Sequence, residues 1–150
     1  WPVVVSFAIG ITKGMIHLHS HNIFHRDLKS LNVLVISTDP KALASVKLVD
    51  FGDSLESYQY QAQNEPCGTV RWTAPEIFEG APFTQKSDVF SFGIILWEMI
   101  ALATPYSQFK RDYEVEDFVR TGNRLTVPDD CPAGYRALIH SCWHERPQSR

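Results

Sequence analysis

Cysteine is scarce in this 150-residue chain. Cys67, Cys131 and Cys142 are odd in number, far apart and without C-x-x-C spacing. That speaks against a disulfide or zinc frame and for reduced thiols of a cytosolic type. The expected location is therefore the cytoplasm, or the cytoplasmic side of a membrane if a longer parent chain carries a transmembrane segment. Long apolar runs are also lacking. The longest unbroken one, FGIILW at 92–97, stops at Glu98, whereas a bilayer span takes ~20 residues, so no membrane segment is expected in this stretch. No signal peptide, repeat or low-complexity tract is present. Charge of one sign is lacking as well. Fourteen basic residues stand against 17 acidic ones, net -3, and the basic ones are scattered, so no nucleic-acid partner is expected. An initiator Met is missing too. The chain opens on Trp1-Pro2 and closes on Arg150, which reads as a fragment of something longer.

Hydrophobic residues make up 44% and charged ones 21%, enough for a packed core. Val4, Ala8, Ile11, Met15 and Leu18 recur every three or four residues, so residues 3–20 read as a helix with one apolar stripe, and Pro2 suits its first position. Val33–Ile36 and Val46–Val49 are short β-branched runs on either side of the polar STDPKALAS loop, as in a hairpin. Residues 52–86 show no period and hold several Gly and Pro; so long an irregular stretch is usually functional. Ser87-Asp88 heads VFSFGIILWEMIAL and is the expected N-cap. That run is apolar nearly all round, which predicts a central buried helix. Residues 112–121 and 133–144 are weaker helix candidates. The expected fold class is mainly α with a small β element near a polar cluster.

That cluster is HRDLKSLN at 25–32. Asn32 enters the first strand and Asp50 leaves the second, so antiparallel pairing sets them side by side. An amide oxygen and a carboxylate make a hard, oxygen-only site suited to Mg²⁺ shared with phosphates. Asp27, on the same loop, can take a proton from a hydroxyl. Lys29 can offset negative charge on a transferred group. Without a metal, two carboxylates ~4 Å apart repel by about 4 kcal/mol at an effective dielectric near 20.

These are the parts of phosphoryl transfer. HRDLKSLN resembles the protein-kinase catalytic loop H-R-D-x-x-x-x-N, and VDFG at 49–52 contains the D-F-G motif. TAPE at 73–76 resembles the A-P-E that closes the activation segment, SDVFSFGIILWEM the central helix, and WHERPQSR the W-x-x-x-P-x-x-R end signature. The order is right and the set spans nearly the whole chain. The resemblance is to the C-terminal lobe of a eukaryotic-type protein kinase, residues 1–150, as a partial domain. It implies Asp27 as catalytic base, Lys29 at the γ-phosphate, and Asn32 and Asp50 as Mg²⁺ ligands. It places Leu34 under the adenine of ATP, and has His25 and Phe51 stacked. Asp88 would anchor the catalytic loop, and Glu76 would pair with Arg150.

Lys29, two residues after the base, goes with Ser/Thr specificity in families of this kind, as does Thr69 in GTVRWTAPE, whose hydroxyl would contact Asp27 and Lys29. RWTAPE and FGIILWEM have a tyrosine-kinase flavour. The mixture resembles the tyrosine-kinase-like group of Ser/Thr kinases. A Ser/Thr kinase acting on a protein substrate is therefore the expected function. A pseudokinase or truncated scaffold is the alternative, and a tyrosine or dual-specificity kinase a lesser one. Arg26 resembles the arginine of kinases switched by activation-loop phosphorylation, with Ser54, Ser57, Tyr58 and Tyr60 as candidate acceptors.

Asp53, after D-F-G, departs from the small or apolar residue more usual there. The glycine-rich loop, the V-A-I-K lysine and its partner Glu have no counterpart in these 150 residues; they belong to an N-terminal lobe expected to be the same chain's missing partner. The isolated span is expected to be inactive without it and to expose apolar faces. His17, His19 and His21 tempt a metal assignment. Alternate helix residues point apart, so structural or solvated histidines are the expectation. Trp72, Trp97 and Trp143 read as core anchors.

Overall fold

The computed structural model describes residues 1–42, 45–52, 54–56 and 68–150, without the side chains of Leu55 and Glu56. Asp53, Ser57, Tyr58, Tyr60 and Cys67 lie outside the described residues. Five α-helices are found among those described, with two small antiparallel sheets.

Helix α1, Pro2–Ser20, carries Pro2 in its first turn and buries Ile11 and Met15. Val4, Ala8 and Leu18 of the predicted stripe are half-buried beside them. Val5, Ile9 and Ile16 stay exposed on another face. At 19 residues and a mean hydropathy of 1.3, α1 is long and apolar enough to cross a membrane by length and composition. Counting unbroken apolar runs passes over it, because Lys13 and polar residues interrupt the run without lowering the average much. In this fold α1 packs against the hairpin and the central helix.

Strands β1 (Ile23–Phe24), β2 (Val33–Val35), β3 (Val46–Leu48) and β4 (Leu55–Glu56) follow. The expected hairpin forms from β2 and β3, antiparallel, with Val33 opposite Leu48 and Val35 opposite Val46. β1 pairs with β4, a second sheet that no sequence pattern announced. Within 52–86, α2 (Pro75–Phe78) and a 3₁₀ turn at Val70–Trp72 are also present.

The central helix is α3, Gln85–Ala101. Its N-cap is Thr84 rather than Ser87-Asp88: the Thr84 side chain accepts from Lys86 N, and Ser87 Oγ accepts from Thr84 N at 3.2 Å. A capping box supplies both bonds, which leaves Asp88 buried inside the helix for another task. Phe90, Ile94 and Leu96 of α3 are inaccessible to solvent; each full burial of such a side chain contributes about 1.5–3 kcal/mol. Helix α5, Ala133–Cys142, lies against α3. Their approach depends on Gly93, where a Cβ would stand 2.9 Å from Cys142 Cβ. Helix α4, Asp112–Arg120, turns Val115 and Val119 into the same core. Trp97 and Trp143 are core anchors as expected; the Trp97 indole N–H donates to Thr126 O at 2.8 Å.

Cys131 and Cys142 are free and buried. Burial pushes the Cys142 thiol up to about 11, so it is not a ready nucleophile. Glu76 and Arg150 form a bidentate pair, Nη1–Oε1 at 2.7 Å and Nη2–Oε2 at 2.8 Å. The Arg150 side chain is fully enclosed and also donates to His144 O and Lys86 O.

Candidate active site

The polar loop between β1 and β2 is held from below by α3. Asp88 Oδ2 accepts from His25 N at 3.0 Å and Oδ1 from Arg26 N at 3.1 Å. A buried carboxylate is kept only with such partners, and the His19 ring adds a third at 2.9 Å. The His17 and His21 rings lie 4.6 Å apart, tilted by 53°, and no group of three or more His, Cys, Asp or Glu among the described residues is arranged to hold a metal. Of the three, His19 is half-buried against Asp88, while His17 and His21 are exposed.

Two non-glycine residues of the site adopt left-handed backbone, Arg26 at φ 67° and Asp50 at φ 64°. Each costs of order 1–3 kcal/mol and persists where surrounding contacts impose it. At Arg26 those contacts are visible. Asp88 grips its N–H, and Gly68, itself at φ 96°, comes so close that a Cβ there would sit 2.9 Å from Arg26 O. That close passage brings Thr69 beside Asp27.

The result is a convergence on one carboxylate. Lys29 Nζ donates to Asp27 Oδ2 at 2.5 Å and to Thr69 Oγ1 at 2.8 Å, while Thr69 Oγ1 donates to Asp27 Oδ1 at 2.8 Å. Asn32 Nδ2 donates to Asp27 O at 2.8 Å and reaches Oδ2 at 3.3 Å. Lys29 and Asp27 are mostly but not wholly covered, at 17% and 11% exposure, so the pair is both strengthened by its surroundings and reachable.

Asn32 is buried, and its carbonyl accepts from Val49 N at 3.0 Å, which continues the hairpin ladder to the residue before Asp50. With Nδ2 committed to Asp27, Asn32 Oδ1 has no donor among the described residues. That oxygen and the exposed Asp50 carboxylate, brought near each other by the ladder, are both hard oxygen donors of the kind Mg²⁺ takes when phosphates and water complete its shell. The residues present fit that ion. Leu34 is half-exposed on β2, opposite Lys47. His25 and Phe51 are in ring contact as the resemblance implies, but tilted by 43° rather than stacked, with centroids 5.4 Å apart. Ser54, on the same side, donates to His25 O at 3.2 Å.

One set of contacts was not expected from sequence. Glu98 Oε1 accepts from Ser30 Oγ at 2.8 Å and Oε2 from the Trp72 indole N–H at 2.8 Å. Burial is the main cause that raises its carboxyl above the usual range, and those two donors oppose the shift. The available signal was a single acid inside an apolar helix, read only as the end of a run. Arg71 was missed likewise; its guanidinium donates to the carbonyls of Pro105, Tyr106 and Phe109 and fixes the 70–72 turn.

The sequence profile described as protein tyrosine and serine/threonine kinase matches residues 1–150. Mitogen-activated protein kinase kinase kinase 13-A of Xenopus laevis is 38% identical over 148 residues, 99% of this chain and 15% of that protein. Mitogen-activated protein kinase kinase kinase 12 of Rattus norvegicus is 36% identical over 148 residues, 99% of this chain and 16% of its own length. Cyclic GMP-binding protein C of Dictyostelium discoideum is 39% identical over 155 residues, covering the whole chain and 6% of that protein. The chain thus spans about a sixth or less of these relatives. Family members generally use ATP and Mg²⁺. With its motifs in order and a mainly helical fold that carries small antiparallel sheets, the chain belongs to the protein tyrosine and serine/threonine kinase family and resembles its tyrosine-kinase-like group.

Proposed function

We propose that residues 1–150 form the C-terminal lobe of a Ser/Thr protein kinase that transfers the γ-phosphate of ATP to a protein hydroxyl. The convergence of Lys29 and Thr69 on Asp27 carries this reading. Asp27 orients the incoming hydroxyl and takes its proton as the hydroxyl oxygen bonds to phosphorus and the bond to the ADP oxygen breaks. Lys29 holds the Asp27 carboxylate in place and meets charge on the transferred group. Thr69 locks both. Asn32 and Asp50 would hold Mg²⁺, which neutralises phosphate charge when bound. Leu34 offers an apolar floor for adenine.

The exposed side chains of Leu34, Val35, Ile36 and Phe51 on and beside the hairpin support a covering N-terminal lobe of the same chain, with nucleotide between the two. Without that cover residues 1–150 alone transfer no phosphate. The buried free thiols of Cys131 and Cys142 support a reducing location, cytoplasmic or facing the cytoplasm.

The test is transfer of labelled phosphate by the full-length protein to mixed Ser-, Thr- and Tyr-containing peptides, followed by phosphoamino-acid analysis. Phosphoserine and phosphothreonine are expected. Label on tyrosine alone overturns the Ser/Thr assignment, and no label on any peptide overturns the kinase reading.

A further inference from the structure

Helix α3 touches both halves of the site from one face. Asp88, Ser91 and Glu98 lie within about 80° of one another on a 3.6-residue helix. Asp88 holds the loop before Asp27. Ser91 Oγ donates to Trp72 O at 2.7 Å. Glu98 alone reaches both segments at once, Ser30 of the catalytic loop and Trp72 of the 70–72 turn. Ser30 follows Lys29 directly, and Trp72 N closes its turn on Thr69 O at 2.9 Å. Each donor thus sits next to, or is bonded to, a residue that touches the Asp27 carboxylate.

We propose that Glu98 is a positioning residue. Its carboxylate clamps the Ser30–Asn32 turn to the Val70–Trp72 turn and so sets the distance between Lys29, Thr69 and Asp27. This rests on the kinase reading above.

The chemistry of the contact supports a clamp over incidental packing. A partly buried carboxylate with no cation in ion-pair range among the described residues is costly. An apolar side chain would finish α3 more cheaply. Two donors from segments 68 and 26 residues away in sequence use its two oxygens separately, which neither a hydroxyl nor an aliphatic group can do. Glutamine can: its carbonyl accepts from the indole N–H, and its NH₂ donates to the Ser30 hydroxyl.

The test uses the full-length protein with Glu98→Ala, Glu98→Gln, Ser30→Ala and the Ser30→Ala/Glu98→Ala pair. Glu98→Ala is expected to lower kcat about 10- to 100-fold, the scale of a roughly 1 Å misplacement, with KM for ATP changed less than about threefold. Glu98→Gln restores most of kcat. The double variant is no slower than Glu98→Ala, since both remove one linkage. Hydrogen exchange is measured in parallel, and in Glu98→Ala the amides of 29–32 and 69–72 are expected to exchange faster together. Unchanged kcat in Glu98→Ala, or a loss that Glu98→Gln shares, overturns the clamp. So does faster exchange spread evenly over α3 and the core, which marks a structural role only. If the unaltered protein transfers no phosphate, the kinase reading fails by itself; the exchange pattern still decides whether Glu98 ties the two turns.

Discussion

Asp27→Asn in the full-length protein is expected to cut phosphoryl transfer by about 10²–10⁴-fold, the range for loss of a positioned proton acceptor. The geometry makes the amide doubly unsuitable. Asp27 accepts from Lys29 on one oxygen and from Thr69 on the other, with Asn32 nearby. An amide NH₂ turned toward Lys29 faces a donor-only ammonium, and turned toward Thr69 it makes the hydroxyl accept where it now donates. The amide is also far too weak a base to receive the hydroxyl proton. Size is preserved, so the fold should survive. The measurement is kcat for peptide phosphorylation, with nucleotide affinity and thermal midpoint as controls. A variant that keeps kcat within twofold and binds ATP normally would remove Asp27 from the chemistry. Lys29→Met is expected to lose less, because Thr69 still steadies one carboxylate oxygen.

Arg150→Met is expected to destabilise the lobe by about 3–5 kcal/mol, the usual cost of stripping one partner from a buried ion pair. Arg150 is wholly enclosed, and Glu76 is nearly so. Once the guanidinium is gone, Glu76 keeps, among the described residues, only the Ser87 hydroxyl at 3.2 Å. His144 O and Lys86 O lose donors, and the Phe90 ring loses a cation 5.0 Å from its centroid. For a domain of this size that corresponds to a fall of roughly 6–20 °C in thermal midpoint. Arg150→Lys should not rescue it, since one ammonium cannot reproduce two parallel bonds to a carboxylate. Replacing both partners, Glu76→Leu with Arg150→Met, should cost less than Arg150→Met alone. Thermal shift on the four proteins decides; a midpoint unchanged in Arg150→Met would show the pair to be dispensable.

Local pattern carried much of this fold and part of the site. The α1 stripe and the β2–β3 register follow from apolar spacing, and the register by itself brings Asn32 next to the end of β3. HRDLKSLN and DFG name the reacting groups through family resemblance. What stayed illegible was the choice of distant partners. Ser87-Asp88 passed for an N-cap because both residue types cap helices, yet Thr84 takes that role and Asp88 faces inward to the catalytic loop. β4 and α2, two and four residues long, are too short to show a period. Glu98 ended an apolar run on paper. Its use depends on Ser30, 68 residues earlier, and Trp72, and no window of sequence contains all three.

The Glu76–Arg150 contact also orders events in time. Its members are 74 residues apart, which the ribosome needs about 4–15 s to add at ~5–20 residues per second. Throughout that interval the nascent chain carries an acid whose cation has not been made. The tie between α2 and Arg150 therefore forms only after α3, α4 and α5 have all been synthesised.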